Sequence, residues 1–168
     1  MDERRRRFEA QALPHLDAAY NLARWLARSP TDAEDIVQDA MLRAFRAFDG
    51  FRGGDAKPWL LAIVRNCWRN MGADTKRRGH TPLPEGDSAA LVADDDPEMR
   101  AMETSEGRRL DAVIALLSEE FREVLILREM EDMSYQEIAD VTGVPIGTVM
   151  SRLARARAML REKWMADP

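Results

Sequence analysis

A single cysteine, Cys67, and two histidines, His15 and His80, are all the thiol and imidazole groups the chain holds. That excludes an internal disulfide and a cysteine cluster for zinc, and histidines so isolated supply no metal site. No metal and no cofactor are expected. No apolar run approaches the roughly 20 residues that span a bilayer, and the opening MDERRRRFEA leads into neither a signal-type apolar stretch nor a cleavage site. Direct membrane insertion is therefore not expected, and the cytoplasm is the expected location. Alternating β-branched runs are scarce too. Also missing are paired carboxylates that would converge in a pocket, a nucleophile with an oriented base, and a phosphate-binding glycine loop ahead of a helix. These absences point away from an enzyme.

What is present favours helices. Apolar residues make up 45% of the 168 and charged residues 33%, a balance that suits an all-α fold of two small helical domains, each with a modest core. The formal net charge of −5 conceals a segregation. From Ala56 to His80, Lys57, Arg65, Arg69, Lys76, Arg77 and Arg78 face only Asp74. From Thr81 to Ser105 the sign reverses, with Glu85, Asp87, Asp94, Asp95, Asp96, Glu98 and Glu103 against Arg100. Cations gather again near the end, at Arg152, Arg155, Arg157, Arg161 and Lys163. Two basic patches separated by an acidic spacer are the footprint of a nucleic-acid binder rather than of a uniformly acidic protein.

The periodicity gives the organisation. Leu16, Ala19, Tyr20, Ala23, Leu26 and Ala27 keep helical spacing, and Pro30 is expected to end that helix. Thr31 with Glu34 suggests a capping box for a second helix with Ile36, Val37, Ala40, Met41, Ala44, Phe45 and Phe48 on its apolar stripe. DGFRGGDAKP breaks the pattern. A third helix then carries Trp59, Leu60, Ile63, Val64, Cys67 and Met71 on one face and Arg65, Asn66, Arg69 and Asn70 on the other. The next stretch, TPLPEGDSAALVADDDP, has the composition of a flexible acidic linker. Order is expected to resume near Asp96-Pro97. The resulting division is residues 1–79, a linker at 80–104, and 105–168.

The last unit holds the most specific local signal. Ser134 with Glu137 makes a capping box, Thr142-Gly143-Val144 turns the chain, and Pro145 pre-sets the first turn of a longer helix. This is the order of a helix-turn-helix. On the second helix Ile146, Val149, Leu153, Ala156 and Leu160 share one face. Gly147, Ser151, Ala154, Arg155 and Ala158 point away from it, with Thr148 and Arg152 on the flank. A face that starts small and becomes cationic suits the major groove, where arginine pairs with guanine edges and phosphates. The alternative is a solvated face balancing acids such as Glu119, Glu120 and Glu123.

LSEEFREVLILREMEDMSYQEIADVTGVPIGTVMSRLARARAMLRE resembles the promoter-reading domain of the extracytoplasmic-function (ECF) sigma factors, a group within the bacterial sigma-seventy superfamily. TDAEDIVQDAMLRAF and FRGGDAKPWLLAIVRNCWRN resemble the two halves of that family's N-terminal domain. The resemblance covers both units in the right order. It implies a transcription initiation factor that binds core RNA polymerase through the β′ clamp helices and the β subunit, and directs it to promoter DNA. Asp35, Gln38, Asp39 and Arg43 match the positions that dock on the clamp helices. The glycine loop from Phe51 to Lys57 matches the loop that captures a base flipped from the minus-ten element, bordered by Arg65, Asn66, Trp68 and Arg69. Thr148, Ser151, Arg152 and Arg155 match readers of the minus-thirty-five duplex. Met150 departs from the family, which commonly has a basic residue there.

Two tryptophans and the cysteine have plainer readings. Trp59 lies nearer the apolar stripe, as a core residue would, whereas Trp68 is left open as a stacking platform. Cys67 reads as a buried structural residue. The resemblance further implies an anti-sigma factor, often membrane-anchored, that covers the DNA- and polymerase-binding surfaces until a signal such as stress releases them. The two units would then be compact when inhibited and spread apart on polymerase. The acidic run Asp94-Asp95-Asp96 could occupy a channel otherwise used by RNA, or serve flexibility and solubility alone. Rival functions are a sigma-like decoy that sequesters an anti-sigma factor without binding promoters, and a dimeric repressor or activator using the helix-turn-helix alone.

Overall fold

The computed structural model describes residues 2–77 and 104–166, with side chains described to residue 72 and again from 104. Among these residues the chain is helical with no strand, as the composition predicts. The acidic linker and the expected start of order at Asp96-Pro97 lie outside the described residues.

The first unit comprises α1 (Glu3–Ala12), a 3-10 turn (Leu13–His15), α2 (Leu16–Ala27), α3 (Pro30–Ala47), a second 3-10 turn (Phe48–Gly50) and α4 (Ala56–Arg77). Helix α1 is an element the apolar spacing does not reveal. Asp2 caps it by accepting from the Arg4 amide at 3.1 Å, and it buries only Phe8 and Ala12. Phe8 meets the Phe45 and Phe48 rings edge-on, at centroid separations of 5.3 and 5.5 Å. Helices α2, α3 and α4 pack on one another around Leu22, Leu26, Ile36, Leu60, Leu61 and Val64.

Two local expectations are corrected. Pro30 does not end α2. That helix stops at Ala27, where Arg28 takes a left-handed conformation with φ 57° and returns its amide to the Arg24 carbonyl. Pro30 instead opens α3 from its first position, where a missing N–H costs nothing and the fixed φ suits the helix. Thr31 therefore lies inside the first turn and is not the cap. Ser29 is, accepting from the Asp32 amide at 3.3 Å.

The second unit comprises α5 (Ser105–Ala115), α6 (Glu119–Leu125), a π-helical turn (Ile126–Met130), α7 (Tyr135–Thr142) and α8 (Ile146–Ala166). Thr104 caps α5 by accepting from the Gly107 amide. Ser118 precedes α6 as expected, but its side chain makes no capping bond. Ser134 and Glu137 form the complete capping box of α7, each side chain accepting from the other residue's amide at 3.1 and 3.0 Å. Gly143 ends α7 with φ 73°, its amide donating to the Ala139 carbonyl at 2.8 Å. A side chain would have open space there, so only backbone strain opposes one. Gly143→Ala is expected to cost about 1 kcal/mol, readable as a lower thermal midpoint with the helix content unchanged.

The units do not stand apart. Helix α4 packs on α7 and α2 on α6, and the buried apolar cluster is continuous across the junction. Polar contacts from distant parts of the chain close it. The Arg28 guanidinium donates to the Ala115 carbonyl. Lys57 Nζ reaches the Glu131 carboxylate at 3.1 Å and the Glu131 carbonyl at 2.8 Å. Asn21 Nδ2 donates to Glu131 Oε1 at 3.0 Å. The π-helical turn ends at Glu131 and delivers this residue to the first unit.

Candidate nucleic-acid and polymerase interface

The helix-turn-helix is α7, the Gly143 turn and α8. Val149, Leu153 and Ala156 are fully buried against α6 and α7, which fixes the opposite face of α8 outward. Ser151 and Arg155 are exposed there, while Thr148 and Arg152 are half-buried on the flank. Ser151 Oγ donates to the Thr148 carbonyl at 3.1 Å, an ordinary intrahelical bond that leaves its oxygen able to accept. Arg155 makes no hydrogen bond or ion pair among the described residues. Arg152 lies 3.4 Å from the Glu120 carboxylate, a surface pair of the kind worth little and easily exchanged for a phosphate or a base edge. Arg157 behaves otherwise. Its guanidinium holds Glu129 at 2.7 and 3.1 Å, which raises its pKa and directs this cation along the unit rather than away from it. Ile146 and Met150 are exposed beside the polar face, Met150 by 52%.

On α4 the sequence-based set divides. Asn66 and Arg69 are exposed and Trp68 is half-buried. Arg65 is not on the open face: it is 9% exposed and paired with Glu123, itself 3% exposed, across the junction. Burial raises the Glu123 pKa, opposed by its bond with Arg65 and by the charges of Arg65, Arg152 and Arg69. The expectation of a wholly exposed basic face on α4 is corrected at this one position, because the partner carboxylate lies 58 residues away in sequence.

The glycine loop that follows the second 3-10 turn has Gly53 at φ 88° and Gly54 at φ 80°, with open space around both. A Cβ is excluded there by the backbone and not by crowding. Beneath the loop Phe51 stacks on Phe48 at 6.1 Å and meets Trp59 at 4.9 Å. Trp59 and Trp68 are both partly buried against the core, Trp59 packing on Phe48 and Phe51 as its place near the apolar stripe suggests.

On α3, Asp35 and Gln38 are exposed, and Asp39 accepts from Arg43 Nε at 3.0 Å. That bond and the charge of the same carboxylate raise the Arg43 pKa. Leu42, 57% exposed, shares this face. The sequence pattern does not single it out, because one leucine amid charge does not break an amphipathic repeat. Cys67 is buried beneath Asp39, and burial followed by the Asp39 charge pushes its thiol up to about 11. The thiol is therefore protonated at neutral pH and a poor nucleophile. Among the described residues there is no cluster of metal-ligating side chains and no helix long and apolar enough to cross a membrane.

Residues 13–78 match sigma-70 region 2 and residues 107–160 match sigma-70 region 4. The matched segments fall on the two helical units, with α1 ahead of the first match, and define a sigma-type arrangement. The chain is 35% identical over 151 residues to the ECF RNA polymerase sigma factor SigE of Mycolicibacterium smegmatis, covering 88% of this chain and 58% of that protein. It is 33% identical over 144 residues to the ECF RNA polymerase sigma-E factor of Escherichia coli, covering 79% and 73%. The chain thus spans a little over half the length of the mycobacterial relative. Among solved structures, the sigma factor RpoE of Bartonella quintana in complex with the anti-sigma factor NepR superposes with a TM-score of 0.73 at 28% identity, covering 96% of this chain and 98% of that one. CnrH in complex with the cytosolic domain of CnrY gives 0.69 at 26%, covering 98% and 91%. The chain belongs to the ECF sigma factors of the sigma-70 family.

Proposed function

We propose that this chain binds core RNA polymerase and directs it to specific promoters, and that an anti-sigma factor holds it in reserve. The observation that carries this reading is the match to both sigma regions, in order, combined with an outward polar face on α8 that ends in Arg155. The first unit docks through Asp35, Gln38, Asp39 and Arg43 around Leu42, and takes the minus-ten strand at the glycine loop, Asn66, Trp68 and Arg69. The second reads minus-thirty-five duplex through Thr148, Ser151, Arg152 and Arg155. Binding energy opens the duplex, with no covalent step. The polymerase contact is with the β′ clamp helices and the β subunit, and the work is done in the cytoplasm.

The compact arrangement fits a withheld state. Arg65, which the family places beside the minus-ten strand, is spent on Glu123, and α4 is partly covered by α7. Structural relatives solved with anti-sigma factors support a partner of that kind here. Exposed Leu42 offers such a partner, or the polymerase, an apolar anchor in a charged rim, the composition of an interface hot spot. Leu42→Asp is expected to weaken co-elution with core polymerase by about tenfold or more while leaving the helical signal unchanged. Equal binding by the variant would remove this face from the docking surface.

A further inference from the structure

The four consecutive arginines of α1 have no part in the surfaces above. A helix turns 100° per residue, so Arg4 to Arg7 cannot act alike. Arg4 is structural: it holds Asp49 at 3.0 Å, donates to the Phe45 carbonyl at 2.5 Å, and lies 4.5 Å over the Phe45 ring. Arg5 pairs with Glu9 at 2.9 Å. Asp49 and Glu9 are thereby engaged by arginine side chains, which leaves Glu3 and the capping carboxylate of Asp2, held by a backbone amide, as the other acids of this helix. Arg6 is exposed and its side chain makes no hydrogen bond or ion pair among the described residues. Arg7, also exposed, holds its guanidinium 6.0 Å from the centre of the Phe48 ring.

Phe48 links this edge to the glycine loop. Its ring stacks on Phe51, Phe51 meets Trp59, and Arg52 follows in the exposed stretch before Gly53 and Gly54. Exposed arginines thus flank, on both sides of one turn, an aromatic row that is buried at Phe48 and half-buried at Phe51 and Trp59, so that cations stand beside the two rings that keep some open surface, the combination that takes single-stranded nucleic acid. Guanidinium suits this because its planar fork matches phosphate and it stacks as well as it pairs. Among the described residues none of these arginines bonds to the second unit, so closure leaves the edge free where it occupies Arg65.

Resting on the sigma-factor reading, we propose that Arg6 and Arg7, with Arg52 across the turn, form a phosphate-binding edge for the promoter strand that leaves the glycine loop. Strand separated at minus-ten would run from the loop over the Phe48 side of α1, its backbone neutralised by these cations.

The test uses holoenzyme assembled from the full chain and core RNA polymerase on a promoter that the wild type opens. Open-complex formation is followed against salt for wild type, Arg6→Gln with Arg7→Gln, and Arg6→Lys with Arg7→Lys. The glutamine pair should flatten the slope of log affinity against log salt by about 1.4, the value for two single-strand phosphates, and the lysine pair should restore most of it. A methylphosphonate scan of the strand beside the captured base should find positions that weaken the wild type and not the glutamine variant. An unchanged slope overturns the proposal, and if holoenzyme assembly is weakened at the same time it assigns these arginines to a protein surface. A wild type that assembles with polymerase but opens no promoter overturns the sigma-factor reading, and this site with it.

Discussion

Glu123→Ala is expected to swing the equilibrium between packed and separated units toward separation by roughly a hundredfold, or about 3 kcal/mol, the lower end for breaking a buried ion pair. The variant leaves Arg65 buried without a counter-charge when the units are packed, whereas water receives it once they part. Energy transfer between dyes on α2 and α8 reads the change directly. The contacts of Lys57 and Asn21 with Glu131 are not expected to compensate, because neither reaches Arg65.

The same carboxylate gives the closure a pH dependence. Burial raises the Glu123 pKa in the packed form above the ordinary 4.5, despite Arg65, and separation returns it to that value. A group whose pKa is raised by packing supports the packed form fully below its ordinary value, and that support is lost as pH rises through the raised one. Separation should therefore grow with pH from 4.5 upward in the wild type. In Glu123→Gln this component should be flat. A Glu123→Gln variant that kept the wild-type pH curve would show that another group controls it.

Arg152→Ala combined with Arg155→Ala is expected to cost the holoenzyme about a hundredfold or more in affinity for its minus-thirty-five duplex, since each well-placed arginine on a base edge is worth about 1–3 kcal/mol of discrimination. Assembly with polymerase should be unaffected, because neither residue lies on the α3 face. Fluorescence anisotropy of a labelled duplex separates the two. Glu120→Ala supplies the opposite sign: it removes the carboxylate 3.4 Å from Arg152, so duplex binding should rise slightly, within the few tenths of a kcal/mol that a surface pair carries.

Local chemistry makes the second unit readable. A serine and a glutamate three residues apart, a glycine after one helical pattern and a proline before the next each dictate backbone geometry within a few residues, and α7, Gly143 and α8 follow them closely. At the α2–α3 corner the same rules point to the wrong cap. Ser29 and Thr31 both precede an acid by three residues, and Pro30 serves equally well as a breaker or as a first helical residue. The tertiary register decides between them. Helix α1 is hidden for another reason: it buries only Phe8 and Ala12, so its stability comes from docking on the aromatic cluster and from Arg4, not from a stripe of its own.

Arg65 shows the limit most clearly. Its helix, its neighbours and its charge all match a DNA-facing position, yet the structure spends it inside a junction between units. Exposed Leu42 and the free edge of α1 are likewise invisible in the sequence, because exposure is set by what fails to pack on a residue. The outward positions of Ser151 and Arg155 are legible, since the inward-facing Val149, Leu153 and Ala156 fix the face by spacing alone.

The most direct measurement is run-off transcription from a library of genomic upstream regions by core RNA polymerase, with and without the full chain, and with Arg152→Ala plus Arg155→Ala in its place. Discrete new starts that share sequence near minus-ten and minus-thirty-five, and that vanish with the double variant, are the predicted result. Tight binding to polymerase without any new start would contradict a promoter-directing role and leave a decoy for an anti-sigma factor as the function.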